Sequence, residues 1–183
     1  MIEQAGSIQK EAVHWFAART RFFHHELKCR DYLVNHGFET FVPTVQQGNK
    51  NLGKSRSGGG KIFEKPAAPN LVFLKTTKRE ACALITEHAL PMHYITDCAT
   101  HRMLIVPDKQ MEDFQLVFDL SLEHGGLVNE PLCLGDRIRI CRGPLRGVEG
   151  YVTELLGCTY VAVGLQGLLW ARTRVPKAWL ERA

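Results

Sequence analysis

Gly135-Asp136-Arg137-Ile138-Arg139-Ile140-Cys141-Arg142-Gly143-Pro144-Leu145-Arg146-Gly147-Val148-Glu149-Gly150-Tyr151-Val152 reads as a strand, a tight turn and a second strand. Ile138 and Ile140 alternate with Arg137 and Arg139, the period of a strand with one buried face. Gly143-Pro144 breaks the run as a turn. Val148 and Val152 resume the strand, while Gly147 and Gly150 supply positive φ or close backbone approach where a small sheet bends sharply. Downstream, residues 134–183 hold seven glycines and the β-branched run Tyr160-Val161-Ala162-Val163. This predicts a small five-stranded barrel whose closure removes exposed edges.

Upstream the pattern is mixed. Residues 1–12 read as a leader, and His14-Trp15-Phe16-Ala17-Ala18-Arg19 as a first strand. A helix is predicted over 24–36, with His25, Cys29, Tyr32 and Leu33 on one face and Gly37 as its C-terminal cap. Residues 38–45 form a second strand, broken at Pro43. Residues 46–61 are rich in Gly, Ser and Lys and read as a flexible basic loop. Asn70-Leu71-Val72-Phe73-Leu74 fits a central strand, and Thr77-Lys78-Arg79-Glu80 is a capping box. Short strands at 92–96 and 103–106 lead to a third helix opened by Pro107-Asp108. Met111, Phe114, Val117 and Phe118 form its apolar set. Gly125-Gly126 and Pro131 mark 121–133 as a linker. The expected organisation is an α+β domain over 13–120, with an antiparallel-rich sheet and about three helices, then a small all-β domain over 134–183.

Net charge is only +4, but it is segregated. Residues 1–79 carry +7, residues 80–131 carry −7 and residues 132–183 carry +4. A basic front and tail suit contact with nucleic acid. No apolar run approaches ~20 residues, the length of a membrane-spanning helix, and the first residues lack the apolar core of a signal peptide, so a cytoplasmic protein is expected. The six cysteines show no C-x-x-C spacing and read as reduced thiols. The eight histidines form neither H-x-x-x-H nor H-E-x-x-H, so no metal site is expected. No nucleophile signature surrounds any Ser, Cys or His.

Gly48-Asn49-Lys50-Asn51-Leu52-Gly53-Lys54-Ser55 matches the spacing of a phosphate-binding P-loop. It is followed by Arg56-Ser57-Gly58-Gly59-Gly60, which cannot readily start the helix such a loop requires. Neither an enzyme nor a cofactor is expected.

The order of these features resembles the NusG family of transcription elongation factors, most closely the UpxY-type antiterminators of capsular polysaccharide operons. His14-Trp15-Phe16 looks like the family's opening W-[YF] strand. Phe38-Glu39-Thr40-Phe41-Val42-Pro43 looks like its F-x-P strand end, and Pro69-Asn70-Leu71-Val72-Phe73-Leu74 like its P-[GN]-Y-hydrophobic strand. Val106-Pro107-Asp108 through Phe114 is similar to the UpxY-type third-helix entrance. The glycine spacing of 135–152 resembles the KOW motif, and Gly164-Leu165-Gln166-Gly167 with Val175-Pro176 through Leu180 resembles the group's end.

The resemblance implies an NGN domain followed by an SH3-like KOW barrel. The NGN domain would grip the clamp helices of bacterial RNA polymerase beside the upstream DNA fork. It would hold the clamp closed and suppress pausing. The KOW barrel would recruit a second partner, such as ribosomal protein S10 or Rho.

Residue by residue, Trp15, Phe16, Pro69 and Asn70 fall on the polymerase-binding positions. Ala67 and Ala68 stand where the family often has Phe, so the apolar grip passes to Phe41, Phe63 or Phe73. Arg19, Arg21, His24, His25 and Lys28 lie where sequence-specific relatives read non-template DNA, and Arg and Lys supply charge and base-edge donors. Phe22 and Phe23, interleaved with them, suit stacking on unpaired bases or packing at the corner. Leu145, at the tip between Pro144 and Arg146, suits a protein partner together with Arg146 and Val148. A second expectation, from another class, is a KOW-type RNA-binding protein associated with the ribosome.

Overall fold

A computed structural model describes residues 11–48, 62–124, 127–128, 135–155 and 157–183 of the chain. The leader, nearly all of the basic loop with its P-loop-like stretch, and most of the expected linker lie outside the described residues.

The N-terminal part runs β1 (Val13–Thr20), α1 (Glu26–Asn35), β2 (Glu39–Phe41), β3 (Thr44–Gly48), β4 (Ile62–Pro66), β5 (Leu71–Thr77), α2 (Lys78–Thr86), β6 (Met92–Tyr94), β7 (Ile105–Val106) and α3 (Asp108–His124). One antiparallel sheet has the order β2-β5-β1-β6, with β7 also on β1. Residues Leu71 to Leu74 of β5 are all buried, because the strand is central and covered on both faces. Val72 and Leu74 pack with Ala18, with Cys29 and Leu33 of α1, and with Leu84 of α2. Leu71 and Phe73 pack on the other face with Trp15, Ala17 and with Met111, Phe114 and Phe118 of α3. α1 and α2 therefore cover one face, and α3 covers the other.

Local chemistry sets the element ends. α1 starts two residues later than its periodicity predicts, because His24 has φ +63 and a left-handed residue cannot continue a right-handed helix. Gly37 ends it with φ +83, its amide donating to Val34 O at 3.0 Å. The capping box of α2 forms as its sequence predicts: Thr77 Oγ1 accepts from the Glu80 amide at 3.3 Å, and Glu80 Oε2 accepts from the Thr77 amide at 3.2 Å. Thr76 Oγ1 also donates to Glu80 at 2.5 Å, and these bonds hold the Glu80 carboxyl below its ordinary pKa. Pro43 splits the second strand, and β3 leaves the sheet to pair only with β4.

The third helix is longer than expected. Residues 121–124, read as the start of a linker, continue α3, and Ser121 Oγ donates back to Phe118 O at 2.7 Å instead of capping a new element.

The C-terminal part runs β8 (Leu127–Val128), β9 (Arg137–Ile140), β10 (Glu149–Leu155), β11 (Cys158–Leu165), β12 (Leu169–Arg174), a 3-10 turn (Lys177–Trp179) and β13 (Leu180–Arg182). Its antiparallel sheet has the order β13-β9-β10-β11-β12-β8. The five expected strands are present, but among the described residues the pairing path is open and not a closed barrel. β8, from the segment after α3, occupies the outer edge of β12 through Leu127↔Ala171 and Val128↔Trp170. The two glycines singled out in the sequence act by different means. Gly147 has φ +91, whereas a Cβ on Gly150 would stand 2.6 Å from Ala162 O, a close approach between paired strands that only glycine allows.

The C-terminal sheet packs on α3. Val161, Val163, Leu165, Leu169 and Ala171 join the same apolar cluster as Phe114 and Val117. α3 thus lies between two sheets, with Met111, Phe114 and Phe118 toward one and its neighbouring arc toward the other. No helix among the described residues is long and apolar enough to cross a membrane.

Candidate functional site

The basic residues gather at one end of the first sheet, where β1 turns into α1. Three segments fix this corner. The Thr20 amide donates to Asn70 O at 3.0 Å, and the Arg21 amide to Pro91 O at 2.8 Å. The Asn70 amide donates to Glu26 Oε1 at 2.5 Å. Glu26 is only 1% exposed, an unusual place for a carboxylate. It sits in the first turn of α1, where the helix dipole and free amides favour negative charge. Asn70 has φ +60, which Asn tolerates better than most residues. The corner is held by backbone bonds and one buried acid.

Arg19, Arg21, His24 and Lys28 are exposed and His25 is half-buried. Phe22 and Phe23 are 59% and 72% exposed, which resolves the two readings of this pair in favour of solvent. The Phe22 ring lies 5.4 Å from the His25 ring. Among the described residues, Arg19, Arg21 and Lys28 have no carboxylate partner. The cluster is not flat. By alternation along β1, Arg19 shares a face with Trp15 and Ala17, the α3 side, whereas Lys28 rides on α1 on the other side. The loop between them wraps the end of the sheet. Exposed His93 of β6 pairs directly with Arg19. It was not legible in the sequence, since cross-strand neighbours leave no local signal.

The apolar positions divide. Trp15, Phe16 and Phe73 are 4%, 1% and 0% exposed, so their side chains build the core and present nothing to a partner here. Both faces of β1 and β5 are covered, which an opening Trp-Phe pair cannot reveal by itself. Phe41 is half-buried, 6.1–6.2 Å from the rings of Phe73, Phe114 and Phe118. Phe63 is 47% exposed, Pro69 is exposed and Asn70 is half-buried in its turn. A groove of about 410 Å³ runs between the β3–β4 ribbon and the C-terminal half of α3, lined by Val45, Lys65, Ala67, Phe118, Leu122 and Leu127 among others. Phe63 lies on the same ribbon face as Val45 and Lys65 by register. Leu122 is 50% exposed. Arg30 ties the ribbon to α1 through Glu64 at 2.5 Å. That bond holds the Glu64 carboxyl below its usual range.

In the C-terminal sheet the expected docking tip is turned inward. Leu145 and Val148 are 4% and 1% exposed, and only Arg146 is exposed. The Gly147 amide donates to Ile140 O at 2.7 Å and the Arg146 amide to Gly143 O at 3.2 Å. These bonds fold the turn back so that Leu145 fills the core.

Polar contacts align this sheet on α3. Gln110 Nε2 donates to Gly164 O at 2.6 Å and Gln166 Nε2 to Gln110 Oε1 at 3.1 Å. Asp113, its side chain 6% exposed, pairs with Lys109 and accepts from the Glu149 amide at 3.4 Å.

Basic, aromatic and apolar surfaces thus stand on an α+β frame joined to a β-rich unit. A family model described as transcription termination factor nusG matches residues 13–115, from β1 into α3. The chain belongs to the NusG family, whose members are transcription factors that bind RNA polymerase. No curated protein matches the chain.

Proposed function

We propose that this protein is an operon-specific antitermination factor acting on transcribing RNA polymerase, of the type associated with capsular polysaccharide operons. Its N-terminal unit acts as an NGN domain. The groove beside the β3–β4 ribbon, with Phe63 and the edge of Phe41, receives the polymerase clamp helices. The basic corner of Arg19, Arg21, His24, His25 and Lys28, extended by His93, meets non-template DNA near the upstream fork. The C-terminal sheet acts as a KOW-type module that recruits a second partner such as ribosomal protein S10 or Rho.

The observation that carries this reading is the corner itself: cations without a carboxylate partner among the described residues and two exposed aromatic rings, on a turn fixed by a buried carboxylate. Cations neutralise phosphates, and rings offer stacking surface to unpaired bases. Leu127 of β8 lines the same groove.

The test is a termination-readthrough assay with the host RNA polymerase on a capsule-operon leader and on a control template. Readthrough on the leader alone is expected. Absence of both readthrough and polymerase association, with folded protein, overturns the reading.

A further inference from the structure

The C-terminal ends of α1 and α2 meet on one face of the first sheet, over the packing of Cys29, Leu33 and Leu84. Each end presents a histidine. His36 is the C-cap residue of α1, and His88 follows Glu87, the C-cap residue of α2. Both are exposed. They are far apart in the chain, so no histidine spacing in the sequence shows the pair.

Tyr32, one turn before His36, organises both rings. Its ring stacks on the His36 ring at 4.0 Å, and its carbonyl oxygen lies 2.7 Å from His36 Nδ1. Its hydroxyl lies 3.2 Å from His88 Nδ1, across 56 residues of chain. The two imidazole centres are 6.3 Å apart. A carbonyl oxygen only accepts, so His36 Nδ1 carries the proton and Nε2 of the neutral ring is a bare lone pair. A tyrosine hydroxyl both donates and accepts, so His88 can adopt the same tautomer. Metal-ligating histidines almost always show this pattern, with one ring nitrogen donating to an oxygen and the other on the ion.

The backbone holds His88 in place. The His88 amide donates to Ala83 O at 3.3 Å and the Leu90 amide to Leu84 O at 3.2 Å, with Ala89 between them at φ +49. This is the left-handed helix stop that glycine usually supplies. The local field favours a cation, since unpaired carbonyls and the negative end of the dipole gather where a helix ends. Two helices end here, and neither has a basic residue in its last turn. Zn–N bonds of about 2.0–2.1 Å place the centres of two rings sharing one ion roughly 5–6 Å apart. Exposed side chains reach that separation from 6.3 Å by small rotations. Among the described residues no group of three or more His, Cys, Asp or Glu completes a metal site. The remaining positions on the ion therefore fall to water, which makes the site open and exchangeable, unlike a closed structural one.

We propose that His36 and His88 form a two-imidazole site for a divalent transition-metal ion, zinc above all, oriented by Tyr32 and linking the ends of α1 and α2. The site is independent of the surfaces invoked in Proposed function.

The test is isothermal titration calorimetry of the full, tag-free chain with Zn²⁺ alone, followed by thermal unfolding with and without the ion. Zn²⁺ is expected to bind and to raise the melting temperature, because it binds the folded chain. Mg²⁺, which prefers oxygen ligands, is expected to do neither. His36→Ala and His88→Ala, both at exposed positions, are each expected to weaken Zn²⁺ binding by about a hundredfold or more, since each removes the gain from two linked ligands. Tyr32→Phe keeps the stacked ring and the carbonyl but loses the hydroxyl, and is expected to weaken binding about tenfold. Binding is expected to survive in Cys82→Ser/Cys98→Ser, which removes two exposed thiols. No heat of binding at millimolar Zn²⁺ with the folded parent, affinity unchanged in His36→Ala and His88→Ala, or loss of binding in the double serine variant overturns the proposal.

Discussion

The Glu26 carboxylate accepts the backbone N–H of Asn70 across 44 residues of chain. This bond joins the first turn of α1 to the turn before β5, under the loop that carries the basic residues. Removing the acceptor leaves a buried amide unpaired, which costs about 1–3 kcal/mol. Glu26→Ala should lower stability by that amount in urea unfolding, and Glu26→Gln, which keeps a carbonyl acceptor, by less. Equal stability of Glu26→Ala and the parent would show that the bond does not brace the corner.

Arg19 and Arg21 are exposed and without carboxylate partners among the described residues, so replacing both should leave the fold intact. Arg19→Ala/Arg21→Ala is expected to weaken retention on elongation complexes. The salt dependence of retention should also become shallower, by roughly 0.9 in slope for each duplex phosphate no longer neutralised. Retention unchanged across a salt series would remove this corner from the nucleic-acid interface.

Two phenylalanines on the expected polymerase surface should behave oppositely. Phe63 is 47% exposed and Phe73 is fully buried. Phe63→Glu should reduce polymerase association with little change in melting temperature. Phe73→Ala should cost about 3–5 kcal/mol by leaving a cavity in the core. A stable Phe73→Ala variant that fails to bind polymerase would reverse this assignment.

The capping box of α2 gives a pH signature. Glu80 titrates below its ordinary value of 4.5 when folded, held by Thr76 and Thr77. A carboxyl with a lowered folded pKa stabilises the fold fully above its unfolded value, and that contribution fades as pH falls through the folded value. Stability should therefore decline more steeply below about pH 4.5 in the parent than in Glu80→Gln. Thr77→Ala should cost about 1 kcal/mol at neutral pH. Parallel pH profiles for the parent and Glu80→Gln would contradict this account.

Leu145 provides a check on the C-terminal turn. Its side chain is 4% exposed, so Leu145→Ala should cost about 2–5 kcal/mol. An exposed docking residue would instead show loss of partner binding with unchanged unfolding.

The elements whose physics is local are legible in the chain itself. The capping box of Thr77 and Glu80, the Gly37 stop, the break at Pro43 and the alternation of Ile138 and Ile140 each depend on neighbours within a few residues. The clustering of cations at the proposed nucleic-acid corner is legible for the same reason, since Arg19, Arg21, His24, His25 and Lys28 are close together along the chain. The order of these features was enough to indicate the family.

What depends on distant chain segments was decided only by tertiary structure. Trp15, Phe16 and Phe73 became core because β1 and β5 are covered on both faces. Leu145 turned inward because its turn bonds back to Ile140. His93 joined Arg19 through strand register, and the groove of Val45 and Leu122 formed between a ribbon and a helix. Sequence sets propensity, cap and period through interactions along the chain. Burial, register and the faces left open are set by pairings between residues tens of positions apart, which no local pattern encodes.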